Sequence, residues 1–159
     1  MVSPEDIQEV SRQLGRPARD ILDIAARCVC GKPLVVKTKP RLGNGTPFPT
    51  LYYLTQPAAT AAISTLEASG YMAQLQNLLA EDSEIQAAYL RAHNEYLAER
   101  ESIEVVEELK DFSAGGMPVR VKCLHALVGH SLAKGPGVNP IGDLALAALD
   151  WSASRCQCV

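Results

Sequence analysis

"ILDIAARC", residues 21–28, is the stretch on which the fold class turns. Leu22, Ile24, Ala26 and Cys28 alternate with their neighbours as the two faces of a strand do. Ile21, Ile24 and Cys28 also suit one face of a helix. The segment before it reads as a helix: Ser3 can cap it, Pro4 fits its first turn, Ile7, Val10 and Leu14 form an apolar stripe, and Gly15 stops it. A second helix at 21–28 would complete a helix-turn-helix. That motif needs a basic recognition face, and the chain carries a net charge of −3. The balance also argues against nucleic acid as a partner.

The next two segments support the strand reading. "PLVVKTKP" at 33–40 and "TLYYLT" at 50–55 are rich in residues that suit a pleated surface. "RLGNGTPFP" between them is loop material. From residue 58 the pattern turns helical: one helix to Gly70, a short one over "YMAQLQNLLAE", then a long one. Asp82 or Ser83 can cap that long helix, and Ile85, Tyr89, Ala92, Tyr96 and Ile103 stripe it. Two further helices are expected, one through the 120s to Gly135 and one over 140–151 behind Asn139-Pro140. The expected fold is therefore α+β, mostly α-helical, with a small β-sheet formed by segments near 22–28, 34–38 and 50–55. A single globular domain over 1–151 precedes a tail, 152–159, expected to fray.

With 47% apolar and 21% charged residues, the 159-residue chain has the composition of a folded globular protein. "MVSPEDIQEV" lacks a signal peptide's pattern, and "LALAAL" is too short to span a bilayer. A cytoplasmic location without a membrane partner is expected, where five cysteines read as thiols or metal ligands instead of disulfides.

Chemistry concentrates in "RVKCLHALVGHSLAKGPGVNP", residues 120–140. On one helix Cys123 and His130 share a face but lie ~10 Å apart along the axis. His125 would point nearly opposite Cys123. Cys123 also has the cations Arg120 and Lys122 beside it, which favour a thiolate. Cys28-Val29-Cys30-Gly31 is half a zinc knuckle, with one residue between the thiols instead of two. The turn at Gly115-Gly116, followed by Arg120 and Lys122, is a candidate anion site. His93, Tyr96 and Arg100 could form one polar face of the long helix. Cys156-Gln157-Cys158-Val159 looks superficially like a prenylation box but lacks its aliphatic residues. "TPFPT" (46–50), "SAGGMP" (113–118) and "GVNPIGD" (137–143) combine Gly and Pro with little charge, and are expected to converge on one cleft.

"TPFPTLYYLTQP", "SAGGMPVRVKCLHALVGHSLAKGPGVNPIGD" and Arg27-Cys28-x-x-Gly31-x-Pro33 together resemble the bacterial domain of unknown function 501 family, especially its actinobacterial members. The similarity extends from Leu14 to Asp143. The resemblance implies cysteines at 28 and 123, histidines at 125 and 130, and often cysteine or histidine where this chain has Gln56. Metal ligands tolerate such a swap. It therefore implies a zinc-type site drawn from Cys28, Cys30, Cys123, His125 and His130, with Cys30 in place of the ligand missing at 56. The family's gene neighbourhood (enolase, a septum-formation initiator, an exopolyphosphatase-like protein) implies a link to growth or cell division, and a protein partner there. The alternatives are an enzyme or sensor for a phosphorylated small molecule at Gly115-Gly116, or an adaptor with no site.

Overall fold

The computed structural model describes residues 2–158. Ile21–Arg27 is a strand, β1, and it pairs antiparallel with β2, Pro33–Thr38. β2 pairs in turn with β3, Tyr52–Leu54, in a three-stranded sheet of order β1-β2-β3. Before the sheet lies α1, Pro4–Leu14, closed by a reciprocal capping box between Ser3 and Asp6. Arg27 of β1 grips the Asp6 carboxylate with two hydrogen bonds of 2.8 Å, which fastens α1 to the sheet.

After β3 come α2 (Pro57–Ala68), α3 (Tyr71–Glu81), α4 (Ser83–Ile103), a 3-10 turn at Glu107–Leu109, α5 (Leu124–Lys134) and α6 (Pro140–Ala148). The fold is α+β and mostly helical. α5 lies against β3 so closely that a Cβ on Gly129 would meet the Tyr52 carbonyl oxygen at 2.9 Å. α6 crosses α5 at Gly142, where a Cβ would strike the Leu127 carbonyl. The core runs between them: Leu34, Val35, Leu51, Tyr89, Tyr96, Leu124, Leu127 and Ile141 are all buried.

One expected helix end gives way. α6 stops at Ala148, because Leu149 is extended and the chain turns to bury Trp151. Within the segment from 152 to 158, Ala153 and Cys158 pack against the core. Similarly, α5 starts only at Leu124, with Cys123 extended before it.

α4 organises the irregular loops. Its residues 89, 93, 96 and 100 follow one another at spacings of four and three, along one face. Tyr89 donates to the Arg120 carbonyl at 2.7 Å, and His93 Nδ1 lies 2.7 Å from the Ser113 hydroxyl. The Tyr96 hydroxyl accepts the Leu51 amide at 2.6 Å. Arg100, 2% exposed, donates to the carbonyls of Pro49, Leu109, Phe112 and Ser113. The residues expected to form a polar face are thus buried, and their partners lie in the loops, mostly main-chain groups. The three Gly/Pro loops do meet around this ladder: Arg100 joins 49 to 113, and Asn139 donates to the Met117 sulfur at 3.5 Å. They meet as packed interior, since Ser113, Met117 and Asn139 are buried.

Replacing Arg100 by Met leaves four carbonyls to find other donors. Urea unfolding should show a loss of at least ~3 kcal/mol. Arg100→Lys, which keeps the charge but not the planar fork, should recover less than half of it.

Candidate metal centre and thiol cluster

The five cysteines divide into a group of four and a single one. Cys28 closes β1, and a tight turn comes after it: the Gly31 amide donates to the Cys28 carbonyl at 2.8 Å, and the Cys28 amide donates to the Lys32 carbonyl at 2.9 Å. Gly31 takes φ +92°, open to glycine at no steric cost. The turn folds Cys30 back toward Cys28, so the one-residue gap does not keep the two sulfurs apart. The C-terminal segment brings Cys156 and Cys158 to the same place. All four sulfurs lie within 4.8 Å of one another. Cys30 and Cys158 are 3.7 Å apart, without a disulfide.

Charge and hydrogen bonding are uneven across this group. The Lys32 amide is the largest influence on Cys30 and brings its thiol down to about 7. Burial is the largest on Cys158 and pushes it up to about 12. Gln56 sits beside it. Its side-chain oxygen caps α2 by accepting the Ala59 amide at 2.6 Å, and its Nε2 lies 3.4 Å from the Cys158 sulfur.

Cys123 belongs to a second cluster, with His125 and Glu67, whose donor atoms also lie within 4.8 Å of one another. Because Cys123 is extended and not helical, its side chain falls beside His125 instead of opposite it. The hydrogen bond with His125 is the main cause that lowers the Cys123 thiol and raises His125. His130 joins neither cluster. It is 1% exposed, stacked on Tyr52 at 5.9 Å, with the edge of Tyr96 at 5.0 Å and Asn139 Nδ2 3.1 Å from its Nδ1.

The ligand set implied by the resemblance is therefore split, Cys28 and Cys30 going one way, Cys123 and His125 the other. The residues that sequence reasoning passed over are Cys156, Cys158 and Glu67. A signal for the first two was present: Cys-x-Cys occurs twice, at 28–30 and 156–158, and together they make four. Glu67 carried no such signal.

At the Gly115-Gly116 turn the two glycine carbonyls accept amides from further along the loop. Lys122 and Cys123 donate to the Gly115 carbonyl at 2.8 and 3.3 Å, and Arg120 to Gly116 at 2.9 Å. Glycine is required there by close approach: a Cβ on Gly116 would lie 2.6 Å from the Arg120 oxygen. Leu124, at the start of α5, donates to Glu67 at 2.9 Å. Arg120 and Lys122 remain exposed.

The family model described as "Protein of unknown function (DUF501)" matches residues 24–147. The chain belongs to the domain of unknown function 501 family. The matched part contains Cys28, Cys30, Gln56, Glu67, Cys123 and His125, whereas Cys156 and Cys158 lie beyond its end. No curated protein and no solved structure shows significant similarity to the chain. Among the described residues no helix is long and apolar enough to cross a membrane.

Burial holds the His130 imidazole neutral, its pKa down at about 4. A depressed folded-state value contributes stability that is whole above the unfolded value near 6.5 and is lost as pH falls toward 4. The unfolding free energy should therefore drop by roughly 3 kcal/mol between pH 7 and 4 from this group. His130→Phe should flatten that part of the profile in urea titrations at each pH.

Proposed function

We propose that this protein is a cytoplasmic bacterial protein in which Cys28, Cys30, Cys156 and Cys158 hold one zinc-type ion, and that the ion locks the C-terminal segment onto the end of the sheet. The observation that carries this reading is the spacing of the sulfurs. A tetrahedron with Zn–S bonds of ~2.3 Å has edges of about 3.8 Å. Cys30 and Cys158 stand at 3.7 Å, and the whole group fits within 4.8 Å.

The donor set suits the ion. Four thiolates select zinc, or iron in the same geometry, over hard cations. Such a centre carries an excess of negative charge, which hydrogen-bond donors around the sulfurs must offset. The Lys32 amide faces Cys30, and the Gln56 Nε2 faces Cys158. Cys28 is buried and Cys158 half-buried, while Cys30 and Cys156 are exposed, so an ion can enter from solvent. The purpose is structural, because four protein donors leave no position for substrate. The family's gene neighbourhood supports an adaptor role in growth or cell division, with the locked tail as part of the surface a partner meets.

Protein purified without chelator should carry zinc or iron, and Cys28→Ser and Cys158→Ser should each lose one equivalent by elemental analysis. Chelation should lower Tm by about 10 °C, as for a ligand present at ~1,000 times Kd that contributes ~4 kcal/mol. Metal content unaffected by either substitution would refute the assignment.

A further inference from the structure

The geometry points to a second metal site, independent of the four-cysteine centre: Glu67, Cys123 and His125 bind a divalent ion of the zinc class through three donors, with one position open to solvent. The three residues come from two elements, α2 and α5, held together where Glu67 accepts the Leu124 amide. Glu67 is in the last turn of α2, Cys123 caps α5 and His125 is in its first turn. Their donor atoms lie within 4.8 Å of one another, and donors about 3.3–3.8 Å apart are what bonds of ~2.0–2.3 Å to one tetrahedral ion require. A small closure of the side chains suffices.

The orientation of the imidazole is the more specific argument. His125 Nε2 lies 3.3 Å from the Thr60 carbonyl and 3.3 Å from the Ser64 hydroxyl. A carbonyl can only accept, so Nε2 carries the hydrogen. Nδ1 is the nitrogen left to face Glu67 Oε1, at 3.3 Å, and it carries either a second proton or a lone pair open to a metal ion. Two lone pairs face each other stably only with a cation between them. A proton bridges one pair of atoms; a metal ion satisfies the imidazole, the carboxylate and the Cys123 sulfur together. Histidine ligands commonly donate their second ring nitrogen to a carbonyl in this way. Glu67 is likewise pinned from behind, its Oε2 accepting the Leu124 amide at 2.9 Å and leaving Oε1 for the ion.

A set of one sulfur, one nitrogen and one oxygen matches a borderline ion such as zinc or cobalt, and neither magnesium nor calcium. The His125 and Glu67 side chains are 28% and 25% exposed, so water reaches the fourth position. Three protein donors plus water is the composition of catalytic zinc sites, in which the bound water ionises near neutral pH. If the protein carries out hydrolysis, this is the site equipped for it.

The test reads Cys123 itself, so that it is separable from the fate of the other four thiols. Full-length protein, stripped of metal and then titrated with zinc, is alkylated with iodoacetamide and each cysteine followed by peptide mass spectrometry. Zinc should slow alkylation of Cys123 at least tenfold. Glu67→Gln and His125→Asn should remove that protection while Cys30 and Cys158 respond to zinc as before. Cobalt added to a Cys30→Ser/Cys158→Ser protein should still produce thiolate-to-cobalt absorption, and this should vanish with Cys123→Ser. Equal alkylation of Cys123 with and without zinc in the native protein overturns the proposal, whatever the four-cysteine centre does. Fast alkylation in both states would identify a bare thiolate–imidazolium pair instead.

Discussion

A guanidinium buried with no carboxylate partner among the described residues sets the terms for the rest of the molecule. Arg100 gives its hydrogen bonds to four main-chain carbonyls, from Pro49, Leu109, Phe112 and Ser113. Taking a cation from water is expensive unless its donors are satisfied, and here carbonyl dipoles meet that cost. Burial draws the pKa of the group down, but an arginine remains charged. The carbonyls must therefore stay where they are, and the loops that carry them lose their freedom. Tyr96, His93 and Tyr89, at successive turns of the same helix, extend the constraint to Leu51, Ser113 and Arg120. One face of α4 thus positions the approach to β3 and the whole run from 109 to 120.

Both clusters inherit their geometry from that face. The run from 113 to 123 has no regular structure beyond its turns, yet Cys123 must arrive beside Glu67 of a different helix. It does so because Tyr89 holds Arg120, Gln76 brackets the loop by binding the Val119 carbonyl and the Val121 amide, and Gly115 accepts the Cys123 amide. The four-cysteine group depends on α4 less directly. Tyr96 sets Leu51, and β3 then delivers Gln56 at the start of α2, next to the end of β1.

The elements themselves were legible in the sequence because their signals are local. Ser3-Pro4, Asp82 and Asn139-Pro140 each announce a helix start that the structure uses. The alternation of Leu22, Ile24 and Ala26 was weaker, but a strand at 33–38 gave it something to pair with. What was not legible is long-range. His93, Tyr96 and Arg100 look like a solvated helix face, since side chains that bond to backbone leave no sequence partner to find. The boundary of α5 mattered more than its existence: with Cys123 one residue outside the helix, the angular argument that separated it from His125 no longer applies. The tail cysteines mislead for a similar reason, since the thiols they lie beside, Cys28 and Cys30, are more than a hundred residues away in the sequence.

Under the proposed reading, the departure at Gln56 and the cysteines of the tail belong together. The resemblance implies that a cysteine or histidine often stands there, and a glutamine amide is a poor donor to a soft ion. In this chain its Nε2 faces the Cys158 sulfur at 3.4 Å, while its oxygen caps α2. The Gln56 amide is thus placed to donate toward the Cys158 sulfur. Cys158 and Cys156 come from beyond the part of the chain that the family model matches. Under the proposed reading, a ligand that the body of the domain no longer supplies is replaced from the tail, and the second Cys-x-Cys pair completes a four-thiolate shell. The exchange has a mechanical consequence. A ligand at 56 would bind the ion within the folded body, whereas ligands at 156 and 158 would make the ion a clasp between that body and a segment with few other anchors. Trp151, buried at the last turn before the segment, limits how far the tail can swing, so the thiols are presented close to Cys28 and Cys30 and the ordering cost of closing the shell is small.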